Sequence, residues 1–329
     1  SFPKYLSFYE AAQIRVAKYP TYDASKHDDI PKLDKINLAL MLGISHELIT
    51  KMLSQNKRYY RSFTIEKKSG GIRTIDAPRV FLKVVQRFLL DYFLCSLDIH
   101  SSVNSFTRDR SVLTHAQLHQ GKAFVGTIDI ENFFGSIHTE QIKTLLQNNG
   151  YCTLEADLIA KLCTLNGVLP QGAPTSPLLS NAYLYHFDRE MDEYTRAVQL
   201  AYSRYADDLT ISGEDREAVI AALKQAESLL LENFSLKINK EKTRIRSQNG
   251  RQVVTGLVVN EKTQPPRIRR RQIRAAFHKA SLKDQVTSDE INKLRGFYGY
   301  LSAIPSLKDT KTLDEYKIIL IGLSKKIID

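Results

Sequence analysis

Apolar residues are spaced as in helices at the start of the chain and as in strands shortly afterwards. Residues 1–60 are predicted to be helical, with apolar faces that meet at a turn on Gly43. Residues 61–65 and 72–75 alternate between apolar and polar positions, and the Lys-Lys-Ser-Gly-Gly sequence between them favours a turn. These two segments are therefore predicted to form a β-hairpin.

The rest of the chain continues this mixture of helical and strand patterns. Residues 199–205 and 209–212 are rich in β-forming residues and flank a short acidic turn, so a second hairpin is predicted there. Pro265 and Pro266 interrupt the chain before a basic segment with helical spacing. Further helices are predicted for residues 80–97, 139–149 and 216–231, and further strands for residues 123–130 and 253–259. Because helices and strands are segregated rather than alternating, we predict an α+β fold with an antiparallel sheet.

The chain carries a large excess of positive charge. Its 329 residues have a formal net charge of +11, and residues 261–329 contain 15 Lys and Arg against 8 Asp and Glu. Basic surfaces of this kind commonly neutralise nucleic-acid phosphates and release their counterions. We therefore expect a nucleic-acid partner, held mainly by the C-terminal fifth of the chain, although a basic balance also fits a protein that adheres to any anionic surface.

Membrane and secretory signals are absent from the sequence. No apolar run reaches the length that spans a membrane, and residues 1–20 lack the basic, apolar and small-residue segments of a secretory signal. The three cysteines, Cys95, Cys152 and Cys163, show no close pairing, which argues against a disulfide framework or a zinc site. These features predict a cytoplasmic protein with reduced thiols and no membrane partner.

Three aspartates stand at positions suited to metal-ion chemistry. Asp129 ends an apolar strand candidate, and Asp207 and Asp208 fill the turn between the two β-rich runs. Mg²⁺ prefers hard oxygen ligands, and two such ions about 3.5–4 Å apart activate a hydroxyl nucleophile and stabilise a leaving pyrophosphate. We predict that the three aspartates hold two Mg²⁺ ions. Taken singly, an aspartate after a strand is usually a turn or helix cap, and an Asp-Asp pair is usually solvated surface.

Five segments occur in the order found in reverse transcriptases and cover roughly residues 61–260. Residues 67–73 resemble the fingers hairpin of that family, and residues 129–134 resemble its first palm motif. Residues 169–177 resemble its L-P-Q-G segment, residues 205–208 its Y-x-D-D box, and residues 236–243 its L-x-[IL]-N-x-x-K-T element. The resemblance implies a right-hand polymerase with fingers, a palm that contains the antiparallel sheet, and a helical thumb. It also implies RNA-directed DNA polymerase activity, in which a primer hydroxyl attacks the α-phosphate of a dNTP.

Within that family the chain is most similar to bacterial retron reverse transcriptases. Val254, Thr255 and Gly256 match their V-T-G tripeptide, and residues 115–119 stand where they have N-A-x-x-H, with His115 in place of the asparagine. The resemblance implies a dedicated structured noncoding RNA as template and primer, and priming from an internal 2′-hydroxyl. It further implies a branched RNA–DNA product (msDNA) and anti-phage defence with a separate effector protein. Group II intron, diversity-generating and other bacterial defence enzymes are alternative branches.

The resemblance assigns roles around the incoming nucleotide. Phe134, five residues after the first aspartate, matches the ring that excludes a 2′-hydroxyl, while core packing is the alternative for an aromatic residue. The resemblance implies that Lys67, Lys68 and Arg73 neutralise the triphosphate of the nucleotide. It implies that Gln171 contacts the nucleotide sugar or the templating base, and that Lys242 protonates the departing pyrophosphate. For Lys242 the alternative is an ordinary exposed lysine.

Other residues are implied to bind nucleic acid. His119 is expected to make RNA or structural contacts, since the pair with His115 lacks the third ligand of a metal site. Residues 254–256 are expected to hold the primer end through backbone groups, with an ordinary strand as the alternative. The cations expected to bind phosphates of a folded RNA are Arg267, Arg269, Arg270, Arg271 and Arg274.

We therefore predict three parts: a helical N-terminal leader (residues 1–60), interleaved fingers and palm (61–260) and a basic helical thumb (261–329). A rival interpretation is a helix–turn–helix DNA-binding protein, because residues 40–49 resemble that motif with Gly43 in its turn. A second rival is a two-metal nuclease built on the same aspartates, which would have no use for the L-P-Q-G segment or Phe134.

Overall fold

The structure is a computed structural model that describes residues 33–66 and 70–328. Residues 1–32 of the predicted leader, and the predicted nucleotide-binding residues Lys67 and Lys68, lie outside the described residues. The described chain forms two compact units. The first consists of the described residues up to Phe106 with Ile130–Glu190 and Glu227–Asn239, and the second of Thr107–Asp129, Met191–Ala226 and the described chain from Lys240 onward.

The described chain contains both helices and strands. In chain order, the helices are α1 (Lys35–Leu42), α2 (His46–Ser54), α3 (Val80–Tyr92), α4 (Val112–Leu118), α5 (Thr139–Asn148), α6 (Thr153–Cys163), α7 (Ser176–Tyr183), α8 (Tyr185–Ala197), α9 (Arg216–Phe234), α10 (Arg267–Ser281), α11 (Ser288–Ser302) and α12 (Lys311–Leu323). The strands are β1 (Tyr60–Glu66), β2 (Ile72–Pro78), β3 (Phe124–Asp129), β4 (Ala201–Tyr205), β5 (Asp208–Gly213), β6 (Arg244–Ser247), β7 (Val253–Val254), β8 (Leu257–Val258), β9 (Val286–Thr287) and β10 (Ile327–Ile328). Short 3-10 turns occupy Asn56–Tyr59, Leu94–Ser96, Phe134–Ser136 and Pro305–Leu307.

The helical prediction for the N-terminal part is confirmed where the structure describes it. Asp34 caps α1 by accepting hydrogen bonds from the first-turn backbone, and Ser45 caps α2 in the same way. Gly43 ends α1 with a φ of 66°, in the left-handed region that favours glycine. The turn between the two helices therefore lies where the sequence predicted it.

The first predicted β-hairpin is also confirmed. β1 and β2 are antiparallel, with a continuous register from Tyr60 opposite Pro78 to Glu66 opposite Ile72. The helix predicted over residues 80–97 is shorter, since α3 ends at Tyr92 and a separate 3-10 turn follows.

A four-stranded antiparallel sheet in the second unit confirms the predicted α+β class. Its strand order is β4-β5-β3-β6, so β3 and β5 are the central strands. On one face, α9 lies close to the backbone at Gly126, where an added Cβ would be 2.8 Å from Leu223 Cδ1 and 3.0 Å from Val219 Cγ1. Gly126 thus allows the helix to pack directly on the sheet.

The single strand predicted for residues 253–259 is wrong. The structure shows a tight hairpin instead, with Val253 opposite Val258 and Val254 opposite Leu257. Thr255 and Gly256 both have positive φ values, 44° and 85°. Two consecutive positive φ values are typical of a two-residue hairpin turn, so the chain reverses at this point.

The predicted basic helix after the two prolines is confirmed as α10, which begins directly after Pro266. It shares a hydrophobic cluster with α11 and α12, in which the rings of Phe277 and Tyr316 are stacked with centroids 4.0 Å apart. The predicted division into leader, fingers with palm, and thumb stays a prediction. No helix in the described ranges has both the length and the apolar character needed to cross a membrane.

Candidate active site

Two of the predicted metal-binding aspartates lie directly opposite each other in the four-stranded sheet. Asp129 is the last residue of β3 and Asp208 is the first residue of β5, and the antiparallel register pairs one with the other. Such residues point to the same face, with Cβ atoms roughly 4.5–5.5 Å apart. Because like charges at this distance repel, the arrangement favours positive charge nearby.

The third aspartate lies in the turn that joins β4 to β5. Tyr205 pairs with Asp208 across these strands, which leaves Ala206 and Asp207 as a two-residue turn. Ala206 has a φ of 56°, which residues other than glycine rarely adopt. The fully buried guanidinium of Arg204 donates from Nη1 to the carbonyl oxygen of Ala206 over 3.0 Å. This contact stabilises the strained backbone of the turn that carries Asp207.

The carboxyl group of Asp208 is in surroundings that disfavour its charge. Burial is the main reason that its pKa rises to about 7, and the negative charges of Asp207 and Asp129 raise the pKa further, whereas Lys242 lowers it. The three aspartates therefore form one negative cluster. A divalent cation would relieve the same repulsion, and carboxylate oxygens are the hard donors that Mg²⁺ prefers, so the donor chemistry of the three side chains, though not their present spacing, suits a metal ion.

Lys242 supplies positive charge to the cluster. Its Nζ lies 2.7 Å from Oδ1 of Asp129, and the lysine and aspartate side chains are 55% and 23% exposed. An ion pair of this partly exposed kind contributes little to folding stability. In the part of the chain that the structure describes, no three His, Cys, Asp or Glu side chains are grouped closely enough to hold a metal ion. Instead, the lysine ammonium group binds one carboxylate oxygen of Asp129.

The segment that contains Gln171 is tied to the β1–β2 hairpin of the first unit. The backbone N–H of Asp76 donates to the carbonyl oxygen of Gln171 over 2.8 Å. Gly172 has a φ of 133°, and an added Cβ there would lie 2.9 Å from the carbonyl oxygen of Asp76, so both its conformation and this close approach require glycine. The hydroxyl of Ser176 donates to the carbonyl oxygen of Pro170 over 2.8 Å, so the two ends of the segment from Pro170 to Ser176 are bonded to each other.

Two further predicted nucleotide-binding residues also lie in the first unit. Phe134 begins a 3-10 turn and is half-buried, with its ring centroid 5.3 Å from that of the buried Phe133. Arg73 is an exposed residue of β2, opposite Ile65. Their roles toward a nucleotide, like that of Gln171, stay predictions.

The two histidines of the α4 segment are completely buried. His115 lies in α4 and His119 follows its last residue. The ring nitrogens of His119 lie 2.7 Å from Oγ of Ser212 and 2.8 Å from Oγ of Ser203. Burial lowers the pKa of His115 to about 3 and that of His119 well below its usual value, so both rings are neutral at pH 7. Of the RNA or structural contacts predicted for His119, the structure shows structural ones, because its side chain is bonded to two hydroxyls and has no exposed surface.

The V-T-G tripeptide forms the tip of the β7–β8 hairpin. The side chain of Val254 is buried in a cluster that includes Ala116, whereas Gly256 is exposed. Thr255 Oγ1 donates to the carbonyl oxygen of Val112 over 3.4 Å, at the first residue of α4. A contact between this turn and a primer end stays a prediction.

The five arginines of α10 do not share one environment. Arg269 stacks on the ring of Phe297, with its guanidinium carbon 5.0 Å from the centroid, and Arg274 lies close enough to Tyr316 for its charge to act on the phenol. Arg270 is half-buried. The remaining two are Arg267 and Arg271, which are exposed and lie four residues apart on one face of the helix.

Sequence reasoning missed several residues that support the aspartates. Arg204 could have been recognised from the sequence, because an arginine within a β-rich run is unusual and needs a partner if the strand is buried. The hydroxyl of Ser203 gave no such signal, since serine is common in strands and on surfaces alike.

A family model described as reverse transcriptase (RNA-dependent DNA polymerase) matches residues 65–282. The chain therefore belongs to the reverse transcriptase family, and the predicted right-hand polymerase fold is confirmed. A solved structure of apo telomerase from Candida tropicalis is also similar, with a TM-score of 0.49 and 13% identity, covering 82% of this chain and 58% of that one.

Curated relatives define the branch. Retron Ec86 reverse transcriptase from Escherichia coli is 32% identical over 266 residues, covering 80% of this chain and 82% of the relative. Retron Mx65 reverse transcriptase from Myxococcus xanthus is 31% identical over 288 residues, covering 81% of this chain, and Retron Mx162 reverse transcriptase from the same organism is 32% identical over 277 residues, covering 74%. The chain spans 66% and 57% of the lengths of these two Myxococcus proteins. The chain belongs to the retron reverse transcriptases, as the V-T-G tripeptide predicted.

Proposed function

We propose that this chain is a Mg²⁺-dependent, RNA-directed DNA polymerase of the retron type. The observation that carries the proposal is the position of Asp129 opposite Asp208, next to the turn that bears Asp207, in a chain that belongs to the reverse transcriptase family. A half-buried negative cluster of this kind is costly to keep without a cation, and that cost is expected where divalent ions are part of the chemistry.

Each side chain then has a defined task. Asp129, Asp207 and Asp208 hold two Mg²⁺ ions, which when bound supply the charge that activates the primer hydroxyl and stabilises the leaving pyrophosphate. Lys242, whose ammonium group lies 2.7 Å from Asp129, donates a proton or a hydrogen bond to the departing pyrophosphate. Phe134 excludes ribonucleotides by occupying the space that a 2′-hydroxyl needs.

The first test is Asp207→Asn, measured by extension of a DNA primer on an RNA template with Mg²⁺ and dNTPs. We expect extension to be abolished while RNA binding is retained, because the carboxylate is needed for the ions and not for the strand. Asp284→Asn is a matched control, since Asp284 is an exposed carboxylate of the same unit. Loss of RNA binding in Asp207→Asn would point to a structural role, and DNA cleavage without dNTPs would favour the nuclease alternative.

We also propose that the template is a dedicated structured noncoding RNA. Membership of the retron branch supports this, and so does the exposed pair of arginines on α10, whose charges suit RNA phosphates. Initiation from an internal 2′-hydroxyl would give branched RNA–DNA, and the family resemblance extends the proposal to anti-phage defence with a separate effector protein. Sequencing the nucleic acid that copurifies with the chain tests this; an unbranched product, or no specific RNA, would contradict it.

A further inference from the structure

The face of the sheet that carries the aspartates continues into a row of hydroxyl groups. Side chains alternate between the two faces of a strand, so Asp208, Thr210 and Ser212 of β5 share one face. The register adds the opposing residues of β4, because Tyr205 pairs with Asp208 and Ser203 pairs with Thr210. Immediately behind the carboxylates, this face is therefore polar but uncharged.

His115 of α4 binds the first pair of hydroxyls. Its Nδ1 lies 2.8 Å from Oγ of Ser203 on β4, and its Nε2 lies 3.2 Å from Oγ1 of Thr210 on β5. One imidazole therefore bonds to both strands of the β4–β5 hairpin, whose turn carries Asp207. The same ring lies 5.9 Å from the ring of Tyr205, the residue that pairs with Asp208.

His119 extends the contact by one further position along the strands. It binds Oγ of Ser203 through Nε2 and Oγ of Ser212 through Nδ1. The hydroxyl of Ser203 faces a nitrogen of each histidine, and with one proton to donate and two lone pairs that accept it can bond to both rings. These hydrogen bonds restrict geometry more than apolar packing does, because their strength depends on direction.

Burial makes this polar cluster sensitive to the loss of any member. The side chains of Ser203, Thr210, Ser212 and both histidines are completely buried, so water cannot replace a lost partner without opening the structure. The α4 segment is itself fixed at its first turn by Thr255 of the V-T-G turn. Helix α4 therefore contacts the V-T-G turn at its first residue and the β4–β5 hairpin through His115.

We propose that His115 and His119 are positioning residues of the polymerase site: they fix β4 and β5 along α4 and so set where Tyr205 and Asp208 lie relative to Asp129. Neither ring touches substrate or metal. This inference rests on the proposed polymerase function. It extends that function by assigning the histidine pair to the geometry of the carboxylates rather than to RNA.

A matched pair of threonine variants separates positioning from general stability. Thr210→Val removes the hydroxyl that faces His115, whereas Thr195→Val removes an equally buried hydroxyl of α8 that donates to the carbonyl oxygen of Met191. Both changes keep the side-chain shape. For primer extension we expect Thr210→Val to lower kcat roughly tenfold or more with little change in KM for dNTP, since small displacements of reacting groups have effects of this size. Thr195→Val is expected to retain the wild-type kcat.

A histidine series gives a rescue criterion. His115→Leu removes both hydrogen bonds and should lower kcat, whereas His115→Asn, which restores the residue expected of the family, keeps a side chain that can bond to Ser203 and should recover most of the activity. Equal kcat values for Thr210→Val and Thr195→Val, or for His115→Leu and His115→Asn, would overturn the inference.

Hydrogen exchange provides a readout that is independent of activity. In Thr210→Val, faster exchange is expected in the peptides that contain β4 and β5 and not in those from α10 to α12. Unchanged exchange in β4 and β5 would contradict the positioning role, whatever the activity. If the wild-type protein extends no primer but the exchange result holds, the proposed polymerase function is wrong. The inference that the two histidines fix the β4–β5 hairpin then still stands.

Discussion

Mild acid should destabilise this protein through His115. The folded-state pKa of His115 is about 3 because the ring is buried, while an unfolded-state histidine has a pKa of 6.5. The folded pKa is the lower of the two, so the unfolded chain binds the proton more readily. The stability that the neutral ring contributes is therefore fully present above pH 6.5 and is lost as the pH falls toward 3.

The magnitude follows from these two values. At pH 5.0 the unfolded imidazole is almost wholly protonated and the folded one almost wholly neutral, which corresponds to about 2 kcal/mol of lost unfolding free energy relative to pH 7.5. The histidine is nearly inaccessible to solvent, so screening does not reduce the effect. His119 shifts in the same direction for the same reason, and it is present in both proteins of the comparison below.

The assay is urea unfolding followed by far-UV circular dichroism, with EDTA present, at several pH values between 7.5 and 5.0. The informative quantity is the difference in unfolding free energy between wild type and His115→Asn, because all other titrating groups are common to both. That difference should fall by about 2 kcal/mol across the range. His278→Asn is the control: its ring is exposed, so its removal should leave the pH slope unchanged. Parallel pH profiles for wild type and His115→Asn would refute the burial of a neutral ring.

Three other predictions concern the carboxylates, the nucleotide and the RNA. Asp208→Asn should abolish primer extension and yet raise the urea midpoint in EDTA, because it removes a half-buried like charge opposite Asp129; a lower midpoint would contradict this. Phe134→Ala should admit ribonucleotides, which a comparison of kcat/KM for dNTP and NTP measures, and unchanged sugar selection would remove the residue from that role. Arg267→Gln with Arg271→Gln should weaken RNA binding and reduce the salt slope by roughly 0.7–0.9 per lost phosphate contact, whereas an unaltered slope would place the RNA elsewhere.

The parts of the fold that depend on local signals were predictable. Alternating apolar residues and a glycine-containing turn define β1 and β2, and Pro266 sets the start of α10. The pairing of Asp129 with Asp208 was predictable only as proximity, because strands β3 and β5 had to be neighbours for two sequence motifs to meet. The exact opposition of the two residues depends on register, which the sequence does not state.

The parts that depend on an unusual backbone or on distant partners were not predictable. Nothing in a Val-Thr-Gly sequence within an apolar run indicates that Thr255 adopts a positive φ, so the pattern predicts one strand where the β7–β8 hairpin lies. The bonds between the histidines of α4 and the hairpin hydroxyls join residues 84 to 95 positions apart. The sequence therefore left RNA contacts and structural contacts open for His119, and its burial against these hydroxyls shows structural ones.

The face of the sheet that carries the carboxylates has two layers of different chemistry. The first layer is Asp129 with Asp208, and the second is Ser203 and Thr210 with the two histidines. At the strand ends, Asp129 and Asp208 repel each other and favour bound cations, so this layer is unstable by itself and depends on Lys242 or on metal ions. The next residue pair on this face, farther from the strand ends, is Ser203 with Thr210. Apolar side chains at this position would pack, but they would not resist movement of β5 along α4. Neutral histidines and hydroxyls add directional hydrogen bonds without placing a positive charge beside the aspartates. Such a charge would compete with divalent ions for the carboxylates. The second layer therefore supplies the rigidity that the first layer, by its function, lacks.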